Sequence, residues 1–382
     1  QTLILSDILQ SGYPEAELYV RAAELVARSQ VARLIGGGEN IRKYGKLFNI
    51  PSSFYPSTDV CLASLTHEDT AGRVVLIKGN RDSQFERLSH ALEMKSHTTS
   101  LETDLDAMIH NLNTHRALLK PSTRIMAMVK AAGYGHGTYE VANMLQHQGV
   151  DYLAVAFADE GVLLRRQGIT MPIVVLNADA GSFELMVANS LEPEIYNFSS
   201  LADFTSAVRR YGERTYPVHI KLDTGMHRLG FEAADIDGLK EKLLENGELL
   251  RVSSIFSHLA SSDNPGDDRF TELQIARFIK MSEQLSEDLS SQPLLHIANS
   301  AAIERFPIAQ FDMVRLGIGL YGVGAAETPL MHVSTLRTRI VQVKQVDSPE
   351  TVGYGCEGVI DAPTRLATIP IGYADGIDRR LG

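Results

Sequence analysis

The chain has 382 residues, of which 44% are hydrophobic and 22% charged. Such a composition belongs to ordinary globular proteins, and the length suggests two or three domains with sizeable cores. Lys plus Arg number 36 against 47 Asp plus Glu, a net charge of -11, which argues against nucleic acid as a partner but leaves room for a local basic pocket. The two cysteines, Cys61 and Cys356, lie far apart; they fit a reducing, cytoplasmic setting and suggest neither a disulfide framework nor a metal site. No apolar stretch is long enough to span a bilayer. The opening "QTLILSDILQ" lacks an initiator Met and any signal pattern, so the chain reads as part of something longer.

In chain order, "TLILSD" (2–7), "VARLIGG" (31–37) and "RVVLIKG" (73–79) read as buried parallel strands. "PEAELYVRAAELVARS" (14–29), opened by Pro14, and "SQFERLSHALE" (83–93) carry helical spacing. Residues 1–95 therefore predict a small Rossmann-like α/β domain, and "KSHTTS" (95–100) a linker.

The pattern then restarts. "LETDLDAMIHNLNTHRALL" (101–119) predicts an amphipathic helix. Eight strands are expected at 125–130, 152–157, 172–177, 193–198, 218–223, 252–259, 294–299 and 313–322, with helical segments between most of them. Eight βα units predict a (β/α)8 TIM barrel over 97–333. Beyond it the helices stop. "TLRTRIVQVKQV" (335–346) and "RLATIPIGYADG" (365–376) read as strands, the start of a β domain over 334–382 that is expected to be truncated.

Barrel active sites sit at the C-terminal ends of the strands. There the first strand delivers Lys130, and "DTGMHRLGF" after the fifth carries Arg228. The sixth ends in His258, the seventh in Asn299 and Ser300, and the eighth holds Arg315 and Gly317. A lysine at the edge of a dry core loses hydration and becomes a better nucleophile, able to condense with an aldehyde. The small residues of "ANS" and "RLGIG" expose backbone N–H groups suited to a phosphate. An aldehyde that also carries a phosphate and a ring points to pyridoxal 5'-phosphate (PLP). The glycines after Lys130 read as space cleared for it.

Seven collinear segments, "VKAAGYGHG", "HIKLDTGMHRLGF", "HLASSD", "HIANSAA", "VRLGIGLYG", "VGYG" and "IPIGYADG", resemble the motifs of the alanine racemase family from about residue 97 to 382. The resemblance implies a PLP-binding barrel followed by a β domain, working as a head-to-tail homodimer on alanine. It implies that Lys130 carries the cofactor and moves the α-proton on one face, and that Tyr354, from the partner subunit, serves the other face. Arg315 would face the pyridine nitrogen and His258 the ring. Tyr134, Asn299, Ser300, Gly317 and Ile318 would hold the phosphate, while Arg228 and Tyr373 would lie toward the substrate. The family's usual Ala and Pro are Gly133 and Leu316 here, and its late Cys-Met-Asp segment is not present. The first 95 residues resemble the C-terminal domain of the ligase that adds D-alanyl-D-alanine to UDP-N-acetylmuramoyl-tripeptide, without that enzyme's phosphate loop. Together the two resemblances imply part of a ligase–racemase fusion of peptidoglycan synthesis, with no ligase activity expected.

Taken singly, these residues have plainer readings. Lys130 alone is a solvated strand end, His258 a core histidine, Arg315 a structural salt bridge, Asn299 a helix cap and Tyr354 a packed turn residue. The competing function is a non-catalytic PLP carrier, which would have no use for a second base at Tyr354.

Overall fold

The computed structural model describes residues 1–382 except 10, 71, 93–98, 288, 290, 291, 326, 327, 379, 381 and 382. It divides into two compact units, 1–98 and 99–382. The linker expected at 95–100 lies largely outside the described residues, but Ser100 already belongs to a strand.

In the first unit, β1 (Thr2–Ser6), β2 (Arg33–Gly37), β3 (Ser52–Tyr55) and β4 (Val75–Lys78) form a parallel sheet in the order β3-β2-β1-β4. Strand β3 was not anticipated, because "SSFY" is too short and too polar to stand out from its loops. Alternate residues of β1 serve opposite faces. Leu3 and Leu5 pack with Tyr19, Leu34 and Ile41, while Ile4 packs with Ile35, Phe85 and Leu88. Cys61 is buried on that second face, where desolvation pushes its thiol up to about 11 and leaves it inert.

The second unit opens with β5 (Ser100–Thr103), where a helix was expected. The helix starts only at Leu105, because Asp104 caps it by accepting from Ala107 N at 2.9 Å. All eight barrel strands then form: β6 (Arg124–Met128), β7 (Tyr152–Val155), β8 (Ile173–Val175), β9 (Glu192–Ile195), β10 (Tyr216–Lys221), β11 (Leu250–Phe256), β12 (Leu294–His296) and β13 (Met313–Leu316). They run parallel in sequence order, and β13 returns to pair with β6. The remaining seam, between β12 and β13, is closed by Arg315 N to Ala298 O (2.9 Å) and Asp312 N to Leu295 O (3.1 Å).

Strand alternation assigns the layers. Ile125, Ala127 and Val129 face the surrounding helices; Met126 and Met128 face inward with Ala154, Val174 and Met313. Most strands end earlier than expected, so the rim residues stand on the loops beyond them. Among the described residues no helix is long and apolar enough to cross a membrane.

Past residue 333 the expected strand 335–346 divides into β14 (Ser334–Arg337), antiparallel to β5, and β15 (Gln342–Val346). Strands β16 (Glu350–Val352) and β17 (Gly358–Ile360) form a hairpin, and β18 (Thr364–Thr368) pairs with β15. The strand expected over 365–376 ends at Thr368, and Tyr373 lies in a short helical turn.

Candidate active site

The C-terminal mouth of the barrel holds a cavity of about 680 Å³. Of the residues singled out in the sequence, Lys130, Tyr134, Arg228, His258, Asn299, Ser300, Arg315, Gly317 and Ile318 all line it. Tyr354 and Tyr373 do not; they are 95% and 67% exposed.

Lys130 stands just past β6, half-buried, with its Nζ 6.0 Å from the centre of the Tyr134 ring. No hydrogen bond or ion pair engages that amine among the described residues. The stretch that follows is a left-handed turn, with φ 52° at Ala131, 53° at Ala132, 62° at Gly133 and 54° at Tyr134. Each non-glycine residue in that conformation costs on the order of 1–2 kcal/mol. Glu160 Oε1 supports the turn by accepting from Ala131 N at 2.6 Å. The small residues after Lys130 therefore serve a backbone that curls left-handed, as well as leaving room in the pocket.

Arg315, inside β13, is buried to 4% exposure. Its Nη1 donates to His296 Nδ1 at 2.7 Å. Its Nη2 donates to Ser257 O at 2.6 Å, Ile297 O at 3.0 Å and His258 Nδ1 at 3.1 Å. Burial lowers its pKa to about 10, opposed by Glu194, so the guanidinium stays charged at neutral pH. Burial, with Arg315, Arg228, Lys221 and Lys130 nearby, drives His258 well below the usual histidine range. His258 is thus a neutral imidazole that accepts through Nδ1 and carries its proton on Nε2.

Two carboxylates, Glu194 and Asp263, face four cations in the wall: Lys130, Lys221, Arg228 and Arg315. The site is built for an anion. Glu194 is fully buried and 2.9 Å from Lys221 Nζ. Burial raises the Glu194 carboxyl and lowers the Lys221 amine, so the pair holds one proton closely between them. Its second oxygen, Oε2, has no hydrogen-bond partner among the described residues. Glu194 escaped the sequence reading, although a charge inside the apolar run "PEIYNF" was a visible signal. His296 escaped too, despite lying within a quoted motif.

The residues fit PLP. Arg315 Nε makes no hydrogen bond among the described residues, leaving one N–H for a neutral ring nitrogen. A β-carbon on Gly317 would meet the Tyr134 hydroxyl at 3.3 Å and Met128 Cγ at 3.4 Å, so glycine keeps that cradle open. The Tyr134 hydroxyl has no partner among the described residues and is available to a phosphate oxygen. Ser300 Oγ accepts from Gly317 N (2.9 Å) and Gly319 N (3.1 Å), which shapes the loop. Asn299 lines the cavity, but its Oδ1 caps the helix Ser300–Arg305 by accepting from Ala302 N at 3.0 Å.

A parallel eight-stranded barrel with a lysine unpaired among the described residues, a buried arginine and an open glycine cradle on one rim has the make-up of a PLP-binding barrel. The comparisons with known proteins narrow this. Residues 103–325 match the family model "Alanine racemase, N-terminal domain" and residues 333–382 match "Alanine racemase, C-terminal domain". Alanine racemases from Synechocystis and from Geobacillus stearothermophilus are each 37% identical to the chain. The first alignment covers 74% of this chain and 77% of the relative, the second 74% of each. The crystal structure of alanine racemase from Bartonella henselae with covalently bound pyridoxal phosphate superposes with a TM-score of 0.66 at 28% identity, covering 74% of this chain and 78% of that one. This chain belongs to the alanine racemase family.

Proposed function

We propose that the chain interconverts L- and D-alanine with PLP held at the barrel rim, by a two-base mechanism in which each site takes Tyr354 from a second copy of the chain. The observation that carries this reading is the convergence of Lys130, Arg228, His258 and Arg315 on one cavity, in a chain of the alanine racemase family. Lys130 would hold the cofactor at its aldehyde, and His258 would lie against its ring. Tyr134, Asn299, Ser300, Gly317 and Ile318 would hold its phosphate. When bound, PLP supplies a ring that draws electrons from the substrate's α-carbon.

The rest falls to the protein. Lys130 Nζ, free of hydrogen bonds, takes or returns the α-proton on its own face. Inversion needs a second group on the opposite face, and among the described residues no tyrosine or histidine of the same cavity is left unassigned to serve it. Tyr354 is fully outside the cavity and 95% exposed. Leu336, Ile340, Val341 and Val343, elsewhere in the strands beyond residue 333, are more than half exposed, as expected of a surface that another subunit covers. Arg315, charged at neutral pH, offers the ring nitrogen only a hydrogen-bond donor, so that nitrogen stays an unprotonated acceptor, which limits electron withdrawal and so disfavours transamination. Arg228 is assigned to the substrate side, attracting the amino acid's carboxylate, and Tyr373, which lies outside this chain's cavity, would reach the substrate side only from the second copy.

Mixing tests the shared site. Lys130→Ala and Tyr354→Phe are each expected to be nearly inactive. Co-refolded, they should regain activity, because a mixed dimer holds one intact site and one doubly defective one. Failure to complement would place both bases in a single chain or refute the roles.

The division into 1–95, 97–333 and 334–382 belongs to the same proposal. So does a cytoplasmic role supplying D-alanine for peptidoglycan. The four-stranded parallel sheet of the first unit supports its reading as the terminal domain of a cell-wall ligase fused to the racemase. No ligase activity is expected of it; an ATPase assay with UDP-linked tripeptide checks this.

A further inference from the structure

We infer that Glu192, at the far mouth of the barrel, is a positioning residue for Arg315, acting through a one-way chain of hydrogen bonds across the barrel interior. This rests on the PLP reading above only for its effect on catalysis; the chain itself is independent of it.

Glu192 is the first residue of β9, so it lies at the end of the barrel away from the cavity, its side chain 13% exposed. Its Oε2 is 2.7 Å from His219 Nε2. His219 Nδ1 is 2.6 Å from Ser254 Oγ, and Ser254 Oγ is 2.9 Å from His296 Nε2. His296 Nδ1 is 2.7 Å from Arg315 Nη1. His219, Ser254 and His296 are buried to 1% exposure or less.

The direction of every link follows from the ends. A guanidinium only donates, so His296 Nδ1 accepts. A neutral His296 then carries its proton on Nε2 and donates to Ser254 Oγ. The Ser254 hydroxyl donates to His219 Nδ1, and His219 Nε2–H donates to the Glu192 carboxylate, which only accepts. Each linking group supplies one proton and accepts one, and the two ends agree. A second proton on His296 would face an Arg315 N–H, and one on His219 would make Ser254 accept twice and leave the Ser254 hydrogen without a partner in the chain. Burial and Arg315 hold His296 well below the usual histidine range, consistent with this. Ring contacts fix the planes: His296 stacks on Phe256 at 4.8 Å and 2°, and Tyr152 meets His219 edge-on at 5.9 Å.

An anion at one end and a cation at the other polarise every link in the same sense. Glu192 thereby reinforces, from the far end, the tautomer of His296 that accepts from Arg315 through Nδ1. It holds Nη1 in place, so that Nε is the N–H left for the cofactor ring.

The test uses the 382-residue chain with 15N-labelled histidine, as wild type, Glu192→Ala, Glu192→Gln and Ser254→Ala. Nitrogen NMR without added cofactor should show His219 and His296 neutral, protonated on Nε2. Glu192→Ala should shift the nitrogen signals of His296 as well as His219, and Glu192→Gln, which keeps an acceptor, should restore most of the pattern. Ser254→Ala should shift both rings. In holoenzyme, Glu192→Ala should raise the ratio of transamination to racemisation roughly tenfold, the scale on which residues behind a ligand act, with partial return in Glu192→Gln. A doubly protonated His296, or His296 signals indifferent to Glu192→Ala, overturns the chain. Shifted signals with an unchanged product ratio overturn the positioning role. Loss of all racemase activity in wild type, with the NMR pattern intact, would count against the functional reading instead.

Discussion

The barrel rim and the strands beyond residue 333 belong to one compact unit but are finished differently. At the rim, polar groups are buried and mostly paired: the four Nη hydrogens of Arg315 are shared among two histidines and three backbone carbonyls. In β14 to β18 no residue is buried and most are exposed, and the strands pair only two by two. Burial at the rim fixes protonation states and orientation before any ligand arrives. The outer strands carry Tyr354 on a surface with no such frame, so its chemistry depends on whatever covers it. On the proposed reading, the rim is complete within one chain and the second base is not.

The largest test of that contrast is Lys130→Ala, which removes the rim's nucleophile. Racemisation, read as exchange of the α-hydrogen of alanine for deuterium, is expected to fall by about four orders of magnitude. Borohydride should no longer fix the cofactor to the protein. Persistence of the fixed cofactor would reject the lysine. Tyr354→Phe comes next, with a loss of roughly 100- to 1000-fold that is unequal in the two directions. Equal loss both ways would argue against separate faces.

Arg315→Glu should be gentler on turnover and stronger on fidelity. It exchanges a donor for a group able to share a proton with the ring nitrogen, and transamination should rise roughly tenfold. An unchanged product ratio would remove the electronic argument.

The smallest effect is on stability. His258 and His296 stay neutral in the folded barrel because their pKa values are depressed by burial first and by Arg315 second. In the unfolded chain they protonate below about pH 6.5. Their contribution is therefore full above that pH and declines as pH falls toward the folded values, by up to ~1.4 kcal/mol per pH unit for each. Urea midpoints between pH 7.5 and 5.5 should fall accordingly, and His296→Gln should flatten the profile. A wild-type curve already flat would contradict neutral imidazoles.

Much of this was legible in the sequence. Apolar runs announced all eight barrel strands, and the polar residues at the ends of the first, fifth, sixth, seventh and eighth marked the rim. Other features were not legible. Glu192, Glu194, His219, Lys221 and Ser254 alternate along strands, and alternation does not say which set faces inward. The left-handed turn after Lys130 looks, as letters, like any small-residue loop. Strand β3 and the division of 335–346 depended on partners far away in the chain.

By itself the sequence determined the βα rhythm and the residue types at each strand end, because both follow from local spacing and side-chain preference. Only the tertiary structure decided which of those groups meet. Closing the barrel sets Met313–Leu316 beside Arg124–Ala127. That step brings Arg315 to the same cavity as Lys130, and it turns one face of every strand away from water. Separated charges become an interacting set only through that closure and the desolvation it imposes.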